Sequence, residues 1–407
     1  MDGPRALVVA LLLCVAPIGG GVVADTAGVA GEPQQTAEDS EQLMSVYTAE
    51  NTSEYLAPPG NRIDRADGRT VGLDVAAAVE SDAGAVESAY LVRPLERRYA
   101  NAETDAERRA VVENGSERLA AHIDGLAARE RNAVRRYNDG AIGTRALLRT
   151  LTAVSRQAEV TADALEWMEN AADELDMEAE AERATSGQVR LVPMRGPVRA
   201  GLVDAASGEQ SLDVYVETAS DGIVLAAIDG DDGVYLREAH DPTVKTDAVG
   251  DQYGGNPSPA LDRFTELYPW ATNSFDGIDA IGPEQVRLYR FSATHSHGEL
   301  QTYLDSGSTE ILYEQQRIRP ESVPTTTLER TDGDLTVRLN TTRPGGPLGV
   351  TVLDAASETP VDTEIEVNGD PIGSTGGGRL WTVAPRGSTI VNATHAGEAV
   401  SIETTFG

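Results

Sequence analysis

The sequence predicts a three-part fold: an α-helical unit, then an α+β unit carrying an internal repeat, then an all-β sandwich. Three observations predict it. Apolar residues recur at helical steps from Leu73 to about Glu182, short alternating strands with Gly and Asp turns run from about Ser186 to Ile318, and seven short strands with hairpin signals fill 327–407. With 407 residues and 40% hydrophobic composition, the chain is long and apolar enough to bury cores in two or three domains.

Residues 1–24 read as a secretory signal. Met1 to Arg5 carries one Arg, Ala6 to Ala16 is uncharged and apolar, and Val22-Val23-Ala24 ends in a small residue suited to cleavage. A retained anchor is the competing reading, since 6–24 holds no charge and about 19 residues just span a bilayer. Pro17 and Gly19-Gly20-Gly21 count against the anchor. Cys14, the one cysteine, follows Leu13 where a lipoprotein wants a small residue, and it departs with the signal. The exported chain is then free of thiols and disulfides. Residues 25–72 are polar and punctuated by Glu32-Pro33 and Pro58-Pro59-Gly60, so they read as a mobile linker with one ordered stretch around Val46 to Leu56.

The unit at 73–182 reads as a helical hairpin or bundle of three helices. Val75, Val79, Val86 and Tyr90 mark the first; Val112, Leu119, Ile123, Leu126, Ala133 and Tyr137 the second; Leu147, Leu151, Val154, Ala158, Leu165, Met168, Ala172 and Leu175 the third. Thr104-Asp105-Ala106-Glu107 has capping-box spacing, and Asn138-Asp139-Gly140 ends the second helix in a turn. Pro94 is expected to end or kink the first helix, and Asn114-Gly115 to split the second. These apolar stripes are read as the bundle's own core, with a partner-binding face as the alternative.

Within 186–318, a shift of 76 positions aligns Ser220-Asp221-Gly222 with Ser296-His297-Gly298 and Glu238 with Glu314. Strands are expected at 212–218, 222–228 and 233–238 and again at 286–294, 299–304 and 309–317. A short helix should precede each copy, near Pro197 to Ala206 and Pro259 to Tyr268. This helix-and-meander pattern resembles the PepSY-like propeptide modules of secreted proteins, which implies a role restraining or folding a peptidase. In the sandwich, Asn368-Gly369 signals a hairpin. Val352-Leu353-Asp354, Pro360-Val361, Gly378-Arg379-Leu380 and Ala384-Pro385-Arg386-Gly387 fall in an order that resembles the transthyretin-like or carboxypeptidase-regulatory-like β-sandwich, implying a non-catalytic accessory module. Asn51-Thr52-Ser53-Glu54-Tyr55-Leu56, Leu73-Asp74-Val75 and Leu267-Tyr268-Pro269-Trp270 are similar to stretches of haloarchaeal secreted proteins built of uncharacterised domains.

Charge narrows the function. The 66 Asp and Glu against 33 Lys and Arg give a net charge of -33, which argues against nucleic acid and anionic lipid as partners. Lys245 is the only lysine, and that bias with the acidity reads as adaptation to high salt, where a Debye length of about 3 Å at 1 M screens the self-repulsion. His295-Ser296-His297 with Glu299 is the cluster with metal-ligand residue types, suited to zinc, copper or nickel if one strand face presents them. The repeat works against it, because the equivalent Ala219-Ser220-Asp221 reads as a turn. Asp229-Gly230-Asp231-Asp232-Gly233 fails the calcium-loop register and reads as a β-turn. Asn51, Asn114, Asn340 and Asn392 are glycosylation candidates. Nucleophile-elbow, zincin, P-loop and dinucleotide signatures are absent, so no enzyme activity and no cofactor are expected. The expectation is a non-catalytic, secreted or surface-tethered protein that contacts envelope proteins or surface glycans. The alternative is a modulator of an extracellular peptidase, with membrane contact only through an uncleaved N-terminal segment.

Overall fold

The computed structural model describes residues 43–47, 55–230, 233–244, 250–270, 275–282 and 287–406. The signal, most of the polar segment and the Asn51 sequon lie outside them. So do Asp231 and Asp232, and with them the middle of the turn expected at 229–233.

Five helices form the N-terminal layer: α1 (Val75–Asn101), α2 (Asp105–Asn138), α3 (Thr144–Asp173), α4 (Glu178–Leu191) and α5 (Pro197–Ser207). The capping box at Thr104 and Glu107 starts α2 as its spacing predicts. Two expected breaks do not occur. Pro94 sits inside α1, where buried Val92 and Leu95 on either side hold the helix to the core despite the lost N–H. Asn114-Gly115 lies inside α2, and the glycine has a packing reason: a Cβ there would stand 2.4 Å from Cε of Met168. The helical unit also extends past its expected end, because α4 runs through 182 and 186 and packs Ala184, Val189 and Leu191 inward.

The ordered stretch expected around Val46 to Leu56 is present at its two described ends, and the linker reading of 25–72 is corrected at 65–71. β1 (Ser45–Tyr47) pairs with β2 (Tyr55–Ala57), Met44 and Leu56 are fully buried, and β3 (Arg65–Val71) pairs with β4 (Leu212–Ala219) over its whole length. Its polarity misled because β3 is an edge strand, mostly exposed along RADGRTV.

β3 opens an eight-stranded antiparallel sheet in the order β3-β4-β5-β6-β10-β9-β8-β7. The new members are β5 (Gly222–Asp229), β6 (Tyr235–His240), β7 (Phe275–Ile281), β8 (Leu288–His295), β9 (Gly298–Asp305) and β10 (Ile311–Ile318). The six repeat strands stand where the alignment puts them, each within two residues or so, and the two meanders join through β6 and β10. The copies are not equivalent in space, however. Glu238 lies opposite Gln315 and Ala239 opposite Glu314, so the aligned glutamates point to opposite faces. The preceding helices follow suit: α5 packs with Val214, Val216 and Leu236 on one face, and α6 (Pro257–Leu267) packs with Val224, Tyr289 and Phe291 on the other.

The C-terminal unit holds eight strands, one more than expected, in two sheets. They are β11 (Thr326–Asp332), β12 (Leu335–Thr341), β13 (Pro347–Asp354) and β16 (Arg379–Val383) against β14 (Glu364–Val367), β15 (Asp370–Ser374), β17 (Gly387–His395) and β18 (Glu398–Phe406). Asn368-Gly369 makes the predicted two-residue turn with φ of 53° and 86°. This sandwich covers the sheet face opposite the bundle, where Val383 joins Tyr215, Ala226, Ile228 and Tyr235 in one cluster. The Tyr235 hydroxyl donates to the Gly345 carbonyl at 2.6 Å across that contact.

Candidate functional site

The outer face of α1 is the most unusual surface of the described chain. Its N-terminus is fixed by Asp74, which accepts from Ala77 N–H at 3.1 Å and from Arg149 at 2.9 and 3.0 Å. The Arg149 guanidinium and the backbone amides hold the Asp74 carboxyl below the usual range against the opposing effect of burial, which is the largest single influence on it. The inward face is small and polar: Ala77, Ser81, Gly84 and Ser88 lie against the bundle, followed by Val92 and Leu95. Gly84 lets α1 approach α3 closely there, since a Cβ would fall 2.1 Å from Nε2 of Gln157 and displace that side chain. The apolar stripe Val75, Val79, Val86 and Tyr90, with Leu73 before it, is therefore turned outward and is 54% to 74% exposed. The core reading of that stripe is overturned. Helical spacing reveals a face but not its direction, and the signal that would have corrected it is the Ala77-Ser81-Gly84-Ser88 line of small residues at the same period. At the N-terminal end of the stripe, a cleft of about 400 Å³ is lined by Arg69, Leu73, Val75, Arg145, Leu148 and Arg149 among others.

Two buried polar clusters lie at the junction of the meanders. On the bundle face, Arg199 of α5 donates to Glu130 of α2 at 2.7 and 3.0 Å and to Glu238 of β6 at 2.9 Å. On the other face, Glu314 of β10 accepts from Arg237 (2.8 Å), Leu56 N–H (2.8 Å), the Tyr268 hydroxyl (2.6 Å) and Gln316 (3.0 Å). The contacts bridge separate elements, so these clusters fasten them together: bundle to sheet in one case, the β1–β2 pair and α6 to sheet in the other. Sequence reasoning missed them: the repeat aligns Glu238 with Glu314, but with 66 acids nothing marks these two or Glu130 as buried before the fold is known.

The proposed metal ligands are not assembled. His295 ends β8 opposite Gly298, so Ser296-His297 is a two-residue turn like Ser220-Asp221. The two imidazoles stand in a T-shaped arrangement with centroids 5.8 Å apart, and His295 packs against Trp270 at 4.5 Å between ring centroids. Glu299 is paired with Thr294 and so points to the other face of the sheet from His295. Among the described residues no group of three or more His, Cys, Asp or Glu is placed to hold a metal ion. Burial, with His297 and Arg319 adding to it, pushes His295 down to about 4. Of the sequons, Asn114 is exposed on α2 with its amide donating to the Ala110 carbonyl at 2.6 Å. Asn392 is half-buried on β17, while Asn340 is half-buried on β12 with its amide on Thr325 and its Oδ1 enclosed, a poor setting for a glycan. Among the described residues no helix is long and apolar enough to cross a membrane.

Comparison with known families divides the chain into three. Residues 1–211, more than half of it, match the domain of unknown function DUF7096. The chain belongs to that family. Residues 214–324 match a second family of unknown function, DUF7094, and 325–402 match the archaeal fibronectin-III type-like domain. The last match keeps the expected β-sandwich and replaces the transthyretin-like resemblance with a fibronectin-III one. No curated protein and no solved structure matches the chain. The boundary of the DUF7096 region cuts through the structure, since its β3 pairs with β4 of the DUF7094 region and its α5 packs on that region's strands.

Proposed function

We propose that the chain is a non-catalytic protein, exported to the cell surface of an organism living in high salt, where it contacts another envelope component through the outer face of α1. The observation that carries this reading is the exposed stripe Leu73, Val75, Val79, Val86 and Tyr90. A line of large apolar side chains at helical spacing costs solubility when left bare, and such patches on folded chains mark interaction sites. The apolar segment at 6–24 supports export, and the net charge of -33 with a single lysine supports the high-salt setting. Affinity capture from membranes and culture medium in molar salt tests it, with the intact chain and a Val79→Glu/Val86→Glu variant as baits. Specific recovery of an envelope protein or glycan by the intact chain, lost in the variant, is expected. Equal recovery by both baits places the contact elsewhere, and recovery of a secreted peptidase by both favours a modulator acting through the α+β sheet.

A further inference from the structure

Both ends of the α1 stripe carry arginines. Arg93 and Arg97 continue the spacing Val75, Val79, Val86, Tyr90 along one line, with Arg98 beside them, and all three are exposed. At the other end, exposed Arg69 and Arg145 line the cleft beside Leu73 and Val75. None of these five arginines makes an ion pair among the described residues. In a chain with 66 acids and 33 bases, that is a marked local excess of positive charge. The middle of the stripe has the opposite sign, with exposed Asp82 on the line and exposed Glu87 at its edge, while Glu80 is paired with Arg129 of α2. Exposed Glu96 flanks the Arg93–Arg97 end but lies off the line that those two arginines continue.

This plus-minus-plus pattern discriminates between occupants. A second copy fits poorly. An antiparallel pair that sets Val75 opposite Tyr90 brings Arg93 and Arg97 of one copy to the Arg69–Arg145 end of the other, and a parallel pair sets Arg93 against itself. An anionic bilayer fits poorly too, because a flat surface presses Asp82, Glu87 and Glu96 onto like charge along with the arginines. A single helix touches only the line and can match all three segments. From Val75 to Arg97 the line is about 33 Å long at 1.5 Å per residue, so the partner needs roughly six turns.

Resting on the surface-contact reading above, we infer that the outer face of α1 docks an amphipathic helix of a different polypeptide, with carboxylates at both ends of its apolar stripe and a base near its middle. One carboxylate end meets Arg93 and Arg97, and the other enters the cleft beside Arg69 and Arg145. With five exposed apolar side chains, the interface is small and exchangeable.

The test uses two designed, fluorescently labelled 22-residue helical peptides with the same leucine stripe. One carries Glu at both ends and Lys in the middle, the other the reverse. Anisotropy titrations with the intact chain run at the lowest salt at which its circular dichroism remains native. The Glu-ended peptide is expected to bind at least tenfold more tightly, and the preference should invert in a chain carrying R69E, R93E, R97E and R145E. Val79→Glu/Val86→Glu should abolish binding of both peptides while the melting curve stays unchanged. Equal affinity for the two peptides, or a preference that survives charge reversal, overturns the inference. So does a dimer in sedimentation that Val79→Glu dissolves, or binding to phosphatidylcholine vesicles that the four substitutions leave unaltered. If the peptides fail while the capture experiment still loses its partner in the Val79→Glu/Val86→Glu variant, the surface-contact reading stands and only the partner's chemistry falls.

Discussion

Arg199 is 1% exposed and serves two carboxylates, Glu130 and Glu238, each almost fully buried. Above pH 7, where both carboxylates are ionised, removing the guanidinium strands both charges in a low-dielectric site, so Arg199→Met is expected to cost about 3–5 kcal/mol in denaturant unfolding measured there in molar salt. A value below 1 kcal/mol would show that the site readily admits water. One cation between two anions also sets a pH dependence. Burial pushes Glu238 up to about 7 from an ordinary 4.5, against the pull of Arg199. Its folded form holds a proton that the unfolded chain releases, so its contribution to stability falls as pH rises from about 4.5 through about 7. His240 and His295 run the other way. Each is pushed down to about 4 by burial, so the unfolded chain takes up protons the folded chain refuses, and stability falls as pH drops from about 6.5 to 4. His122, also lowered by burial, adds to the climb below pH 6.5, while Asp204, Asp213 and Asp241, raised by burial, join Glu238 in opposing it. Above 6.5 the loss at Glu238 acts without the histidines, and a downturn in melting temperature toward pH 7 is expected. Glu238→Gln should steepen the climb and remove the downturn; a profile identical to that of the unaltered chain would show that Glu238 is ionised throughout. None of this was legible in the sequence. The repeat singled out Glu238 and Glu314 as equivalents, yet only strand pairing shows them inside the molecule.

At the scale of elements, legibility followed local signals. Turn chemistry at Ser220-Asp221, Ser296-His297 and Asn368-Gly369 placed hairpins correctly because those turns fix register without help from distant contacts. The errors sit where tertiary packing overrules the local signal. Gly115 reads as a helix breaker but leaves room for Met168, and β3 reads as linker because an edge strand needs few apolar residues. α1 is the sharpest case, since its largest apolar residues are the exposed ones. A pair of substitutions separates its faces. Gly84→Leu forces a side chain into Gln157 and should destabilise by about 1–3 kcal/mol through overpacking between α1 and α3. Val79→Glu, on the opposite side of the same helix, should change unfolding by no more than about 0.5 kcal/mol. Should Val79→Glu prove the more damaging, α1 would have to sit rotated about its axis from the packing described.

For the whole molecule, composition and periodicity gave the order helix, mixed, strand, but not that the three parts share cores. The chain is stitched across its family boundaries: β3 extends the sheet of the next region, Glu314 holds the Leu56 segment, and the sandwich covers Tyr215, Ala226, Ile228 and Tyr235. Arg386 of the sandwich reaches Glu217 on the sheet at 3.1 Å, and Glu217 also accepts from the Tyr215 hydroxyl at 2.6 Å. Independent modules joined by linkers would melt one by one, whereas parts that bury each other's apolar surface lose support together. The full chain should therefore unfold in a single calorimetric transition in molar salt. A chain ending at Pro324 should melt lower and bind a hydrophobic dye, because it bares the Tyr215–Tyr235 cluster to water. If that shortened chain instead keeps the midpoint of the full one and the full chain shows two separate transitions, the sandwich is an appended module and the shared cluster contributes little to holding the sheet.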